Sequence, residues 1–317
     1  MRSGGEKLNL KYFIVANPVA DHGRVAPKIE EAQKLLTSLG LDFEIKQTEG
    51  PWHAAELSSE AARSGYDVVV AMGGDGTANE VLNGIMMAKE KENCRCSMGI
   101  LAVGRGNDMA FGMGILGGLN EGCRVLAEGH TTSTDVGLVF VDHNTRGRYF
   151  GNGIGIGFDA AVGFEAAKMT HLHGFPAYVC AALKTLMFYY NAPHITTVCD
   201  GKKIDGHFIM ISIMNGNRMG GGFMMAPEAI NRDGLLDICI VEKAARPALL
   251  RLMLKFIKGT HTFSHLVKTD RARHIEVISE MESLPAHADG ETLCHEGSHL
   301  KIEVVPESID IVCSKRG

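Results

Sequence analysis

The sequence predicts two parts in series: an α/β unit built on a parallel sheet with helices on both faces, then a mostly antiparallel β unit. Three observations carry this. Over roughly the first 130 residues, apolar runs of strand length alternate with segments of helical spacing, the rhythm of a covered parallel sheet. Beyond Asp135, strand-length runs follow one another with two helical interruptions. The 317 residues hold about two domains at roughly 150 residues each, enough to bury a core without disulfides or metal.

Tyr12–Ala16 is an apolar run and reads as the first strand. Val25–Leu39 carries apolar residues at helical spacing (Ile29, Ala32, Leu35, Leu36, Leu39), and Gly40 stops it. Phe43–Gln47 alternates as a strand, and His53–Arg63 forms a helix ending near Gly65. Val68–Met72 is continuously apolar, as in a strand buried on both faces. Ala78–Lys89 follows as a helix with Thr77 as N-cap, then the buried strand Gly99–Val103 and the helix Glu121–Ala127. The strands of the second part are Val136–Val141, Arg148–Ile156, Ile195–Cys199, Lys202–Ile213, Leu235–Val241, His274–Ile278 and Leu300–Val304. Asp200-Gly201 is a hairpin signal between two of them. The helices Ala177–Tyr190 and Pro247–Ile257 interrupt the series. The final run, Ser308–Cys313, is of strand length and can return to the first part.

Composition excludes several classes. The net charge of −5 argues against a nucleic-acid binder, which would be strongly basic. No apolar run reaches the roughly 18–20 residues that span a bilayer, and the N-terminus lacks a signal-peptide core. A cytoplasmic chain is expected, its eight cysteines scattered and reduced. Glycine is in excess: 38 residues, roughly 12% against an average near 7%. Where the glycines cluster is therefore informative.

The strongest cluster is Gly73-Gly74-Asp75-Gly76-Thr77, between a buried strand and a helix. Such a turn lets backbone N–H groups face an anion without Cβ obstruction, and the helix N-terminus adds partial positive charge. In an open parallel sheet this loop lies at the strand ends where ligands bind. Asp75 can orient a nucleophile or hold Mg²⁺. A second loop, Gly104-Arg105-Gly106-Asn107-Asp108, follows the next buried strand and belongs at the same edge. Paired carboxylates, Asp75 and Asp108, beside a phosphate cradle suit metal-assisted phosphoryl transfer.

Gly73–Thr77 resembles the GGDGT signature of the diacylglycerol kinase and sphingosine kinase superfamily, whose GGDG core NAD kinases share. Further segments are similar to its bacterial lipid kinases: Asn17-Pro18, Thr48, Asn107–Ala110, Asp135-Val136-Gly137, Phe150–Asp159, Asn215-Gly216, Asp233–Asp237 and Ala288–Glu291. The resemblance runs in order along nearly the whole chain. It implies an α/β nucleotide-binding domain over 8–134, with 307–317 as a candidate return, and a β-sandwich lipid-substrate domain over 135–306. It implies ATP held by Asn17, Pro18, Thr48, Gly73, Gly74, Asp75, Gly76, Thr77, Asn79, Glu80, Gly104, Arg105 and Asn107. It implies Glu291 as general base, taking the proton as a lipid hydroxyl attacks the γ-phosphate. Asp75, Asp108 and Asp135 would organise metal, phosphate and hydrogen bonds. A structural Mg²⁺ is implied at Asp233 with the carbonyls of Ile230 and Leu235. The acceptor would be a membrane lipid such as diacylglycerol or a sphingoid-like alcohol, met transiently at the inner membrane surface, with a homodimer by family analogy. A kinase of a soluble acceptor and a weak nucleotide-binding regulator are the alternatives.

The second loop departs from the family pattern. Ala102 stands where Pro is common, Arg105 where Thr is common and Met109 where Phe is common. Arg105 either loses an ATP contact through the missing hydroxyl or clamps a phosphate with its guanidinium. Other motifs carry little. Gly112–Gly117 and Gly155–Ala160 fit dinucleotide-loop spacing without the required strand–loop–helix context. His295–His299 fits a zinc pattern that needs a helix, which Gly297 and Ser298 disfavour. His261 and His265 read as polar surface residues. Helix Ala177–Tyr190 is either a core helix packed on the sandwich, or the wall of an acyl-chain pocket or a membrane-facing surface. Gly220–Met225 is a flexible loop with apolar tips. The basic residues of Arg246–Lys258 and Lys268–Arg273 form a solvated face or meet anionic headgroups.

Overall fold

The computed structural model describes residues 10–92, 94–169, 171–281 and 283–314. The first lobe runs β1 (Lys11–Ala16), α1 (Ala26–Ser38), β2 (Asp42–Gln47), α2 (His53–Arg63), β3 (Val68–Gly73), α3 (Asp75–Glu92), β4 (Ser97–Ala102), α4 (Asp108–Gly112) and α5 (Gly118–Glu128). Its strands pair in parallel in the order β2-β1-β3-β4. Every residue of β3 is buried, as its unbroken apolar run requires. Helix α1 packs with α5 and α2 with α3. Ile14, Val70, Met72 and Leu101 lie at the centre of the core between them.

The second lobe follows with β5 (Thr131–Val141), β6 (Arg148–Phe150), β7 (Gly153–Gly157), α6 (Phe158–Ala167), α7 (Phe175–Phe188), β8 (His194–Cys199) and β9 (Lys202–Met214). It continues through β10 (Arg218–Met219), β11 (Phe223–Met224), β12 (Leu236–Glu242), α8 (Arg246–Lys258), β13 (Val267–Ala272), β14 (His274–Ile278), β15 (Leu284–Ala288), β16 (Glu291–Gly297) and β17 (His299–Val312). Apart from the β17–β4 contact, its strand pairs are antiparallel. A second core gathers Phe150, Ile156, Phe208, Ile213 and Ile275. A third, under α8, holds Met210, Met214, Leu249, Leu252 and Phe256.

Strands β5 and β17 are the shared beam. They pair along their length from Leu300↔Val141 to Val312↔Thr131, with an irregularity between Val305 and Ile309. Pro306 lies in that interruption and has no N–H to give to a ladder. At its far end β17 pairs Ile311 with Met98 of β4, so the 308–313 run lies beside the first-lobe sheet.

Several local expectations need correction. Helix α3 begins at Asp75, so Thr77 is an interior residue and not the N-cap; its Oγ1 accepts a bond from Asn17 Nδ2 at 3.2 Å. The expected strand Arg148–Ile156 is broken at Gly151-Asn152, because those N–H groups bond the Asp289 carboxylate instead of a neighbouring strand. Helix α6 and strands β13, β15 and β16 were not apparent from periodicity, since α6 is apolar almost all round and the strands mix polar and apolar residues. His261 is fully buried and stacked on Phe256 at 3.9 Å between ring centroids, not a surface residue. The His295–His299 segment lies in β16 and β17, where no helix brings the two imidazoles to one face.

Candidate active site

The ends of β1, β2, β3 and β4 share one edge. Asn17 N–H bonds Met72 O at 3.0 Å and Thr48 N–H bonds Ala16 O at 2.9 Å, which draws the post-strand turns, including Pro18, to that edge. The glycines of the two loops are there for closeness. None of Gly73, Gly74, Gly76, Gly104 or Gly106 has a positive φ. A Cβ on Gly104 would strike the Gly74 backbone, and one on Gly76 would strike the Glu291 carboxylate. A Cβ on Gly106 would come 2.7 Å from Asp75 Oδ2 and 3.0 Å from Asp108 Oδ2. The loops thus stack backbone on backbone, with carboxylates in the space that side chains would fill.

Four acids converge there. Asp75 Oδ1 accepts the N–H groups of Asp108 (2.7 Å) and Met109 (3.2 Å). Burial, then the charge of Asp108, pushes the Asp75 carboxyl up to about 7. Asp108 accepts from Arg218 Nε at 2.7 Å and from Gly221 N–H, yet burial still raises its pKa. Asp289 accepts four hydrogen bonds, from Asn79 and from the N–H groups of Gly151, Asn152 and Gly153, at 2.8–3.0 Å. Glu291 opens β16 after the turn at Asp289-Gly290, where both residues have positive φ. Its pKa is raised by burial, against the pull of Arg148.

Other residues expected at the site do different work. Asn79 is fully buried and ties α3 to Tyr149 O and Asp289 across the lobes. The Glu80 carboxylate accepts the N–H groups of Trp52 and Ala54 and so caps α2. Asn107 closes its own loop through Gly104. Arg105 points away from the glycine loops: its guanidinium meets Asp21 at 3.1 Å and the carbonyls of Ala166 (3.3 Å) and Met169 (3.0 Å) at the end of α6. Asp135 is not brought to the other acids. It accepts the N–H groups of Gly234 and Glu307, each at 2.7 Å, and steadies the 230–235 turn and the β17 irregularity. In that turn Asp233 accepts Leu235 N–H at 3.1 Å and has Arg271 Nη1 at 3.8 Å, while the Ile230 side chain is half exposed. Arg271 is held mainly by Asp237, at 2.9 Å, so no close ion pair occupies the Asp233 carboxylate. Among the described residues no cluster of three or more His, Cys, Asp or Glu is placed to hold a metal.

A cavity of about 420 Å³ starts at Gly74, Asp75 and Glu291 and continues into an apolar chamber walled by Phe158, Tyr178, Leu186, Leu249 and Phe256. Helix α7 contributes to that wall through Tyr178, Ala182 and Leu186. Sequence reasoning missed Asp289, Arg218, Asp159 and His287. Asp289 had a signal, since it stands two residues before Glu291 in the Ala288–Glu291 turn; Arg218 and His287 had none.

A helix-covered parallel sheet joined to an antiparallel lobe, with glycine loops and acids facing the cleft, is the frame of a two-lobed kinase. Comparison with known proteins makes the class specific. Residues 11–139 match the diacylglycerol kinase catalytic domain, and residues 125–313 match the YegS C-terminal NAD kinase beta sandwich-like domain. The chain therefore belongs to the diacylglycerol kinase-like family that joins these domains, and is at family level a lipid kinase. It is 28% identical to a diacylglycerol kinase of Mycobacterium tuberculosis over 97% of this chain and 96% of the relative. It is 29% identical to one from Staphylococcus aureus over 88% and 85%. A crystal structure of a diacylglycerol kinase from Bacillus anthracis shares the fold at TM-score 0.77 and 22% identity, covering 98% of this chain and 99% of that one. Yeast NADH kinase complexed with NADH is more distant, at TM-score 0.53 and 10% identity over 96% and 84%.

Proposed function

We propose that the chain transfers the γ-phosphate of ATP to the hydroxyl of a membrane lipid, such as diacylglycerol or a sphingoid-like alcohol. One observation carries this reading: a single cavity is lined both by the glycine loops and carboxylates and by a set of apolar side chains. One end suits phosphates and the other suits acyl chains. The first turn of α3 directs backbone N–H groups at the donor phosphates. Glu291, against Gly76, accepts the proton of the attacking hydroxyl; burial raises its affinity for that proton. Asp75 and Asp108 fit a Mg²⁺ carried on the nucleotide phosphates, which needs one or two protein carboxylates rather than a full cage. When bound, Mg²⁺ would neutralise phosphate charge.

Access from a bilayer is supported by the outer faces of α7 and α8. Leu183, Met187 and Phe188 on α7, and Leu250 and Leu254 on α8, are exposed. Arg251, Lys255 and Lys258 flank them on α8, as anionic headgroups would favour. No helix among the described residues is long and apolar enough to cross a membrane.

The test is a radiolabelled ATP assay with total lipid extract or NAD as acceptor. Label in an organic-phase product, lost in Glu291→Ala, is expected. A water-soluble product would favour a soluble acceptor. Nucleotide binding without transfer to either would overturn the kinase reading.

A further inference from the structure

Two polar side chains that line the same cavity, His287 and Asp159, have been given no substrate contact above. His287, on β15, is 5% exposed and Asp159, in the first turn of α6, is 14% exposed; both line the cavity. His287 Nδ1 accepts the N–H of Gly290 at 3.3 Å, so its proton lies on Nε2. That Nε2 faces Asp159 Oδ1 across 4.0 Å, too far for a direct hydrogen bond. The other oxygen, Oδ2, is held by the buried Ser212 hydroxyl at 2.9 Å. Gly155, paired with His287 across the sheet, keeps the gap open: a Cβ there would come 2.5 Å from Nε2 and 2.6 Å from Oδ2.

The gap therefore presents one donor and one acceptor to the cavity. An oxygen about 2.8 Å from both atoms subtends about 90° between them, a workable angle for a group that donates one bond and accepts another. A hydroxyl does both. An ester oxygen only accepts and brings no donor to Asp159 Oδ1; an ammonium only donates and meets the Nε2–H head-on.

We propose that His287 Nε2–H and Asp159 Oδ1 bind a second, free hydroxyl of the acceptor lipid, one that is not phosphorylated. This rests on the lipid-kinase reading and narrows it to lipids with an unesterified hydroxyl near the reacting one, as in a monoacylglycerol, over those with both neighbours esterified, as in 1,2-diacylglycerol.

The experiment compares kcat/KM for 1-monoacylglycerol and 1,2-diacylglycerol of the same acyl chain in the same mixed micelles. The unsubstituted enzyme is expected to favour the monoacyl lipid by about 10- to 100-fold, the worth of a hydrogen bond to a charged group. Asp159→Ala should abolish that preference by lowering the monoacyl value while leaving the diacyl value in place. Should Asp159→Ala fail to fold, as a thermal melt would show, Asp159→Asn, which keeps the side chain's shape and loses its charge, decides in its place by the same two values. Equal values for the two lipids, a preference for the diacyl lipid, or variants that lower both values alike would overturn the hydroxyl site and leave the lipid-kinase reading standing. Transfer to neither lipid overturns both.

Discussion

On one side of the cleft, Gly73–Thr77 and Gly104–Asp108 set backbone against backbone, and the glycines serve by having no Cβ. On the other side the wall is made of side chains drawn from α6, α7, α8, β9 and the 219–225 segment. The first is short in sequence, close-packed and charged; the second is dispersed, apolar and lies beneath helices with exposed outer faces. Local loops at sheet edges can place charges tightly because neighbouring strand ends fix both anchor points. A chamber for a chain of methylenes needs only volume and an apolar lining, which many residue combinations supply. Substitutions on the two sides should therefore fail differently.

The largest expected effect is at the reacting hydroxyl. Glu291→Gln should lower kcat by about 10³-fold with little change in either KM, as for a lost general base. With the native residue, kcat should fall as pH drops through a value above the ordinary glutamate range, because the base must be deprotonated and burial raises its pKa; Arg148, Glu80, Asp289 and His287 are the charged or titratable groups acting on it. A flat acid limb in the pH–rate profile would remove Glu291 from that role.

Next is the joint between the two sides. Asp289→Ala strands three buried backbone N–H groups and the Asn79 amide, and should destabilise the fold by about 4 kcal/mol in denaturant melts. A loss below about 1 kcal/mol would mean that the lobes do not depend on this carboxylate.

Asp75 sharpens the contrast, because the loop side carries charge at a cost in stability. Its folded-state pKa is raised from 3.8 to about 7, so the folded chain retains a proton that the unfolded chain releases. Its contribution to stability falls as pH rises from about 4 to about 7. Asp75→Asn should stabilise the nucleotide-free protein by several kcal/mol, on the order of 4, at pH 8 and by little at pH 4, while lowering transfer. Equal melting shifts at both pH values would show that the charge is not the cause.

The smallest effect is at Arg105, on the second glycine loop but bonded to the end of α6. Arg105→Thr cuts the links to Asp21 and the end of α6, and should cost about 1 kcal/mol. It should raise KM for both nucleotide and lipid. A change in nucleotide KM alone would assign Arg105 to the loop side only.

Much of the first lobe is legible in the sequence alone. Strand β3 and helix α2 were bounded to within a residue, because a doubly buried strand is continuously apolar and an amphipathic helix repeats its apolar positions. The glycine loops were legible for the same local reason. The second lobe was less so: β15 and β16 are short and mixed, and α6 has no polar face to reveal its period. Site residues divide the same way. Asp75, Asp108 and Glu291 stand in motifs, whereas the Asp289 network and the His287–Asp159 gap join residues more than a hundred positions apart.

The sequence by itself determined where the backbone turns tightly and which residues carry charge there, because those properties depend on neighbours in the chain. Only the tertiary structure decided where the long side chains point. Arg105 turns to α6 instead of the phosphate loop, Glu80 caps a helix, and Asp135 braces a strand irregularity, since a buried or half-buried charge goes to whichever unpaired partner packing brings within reach.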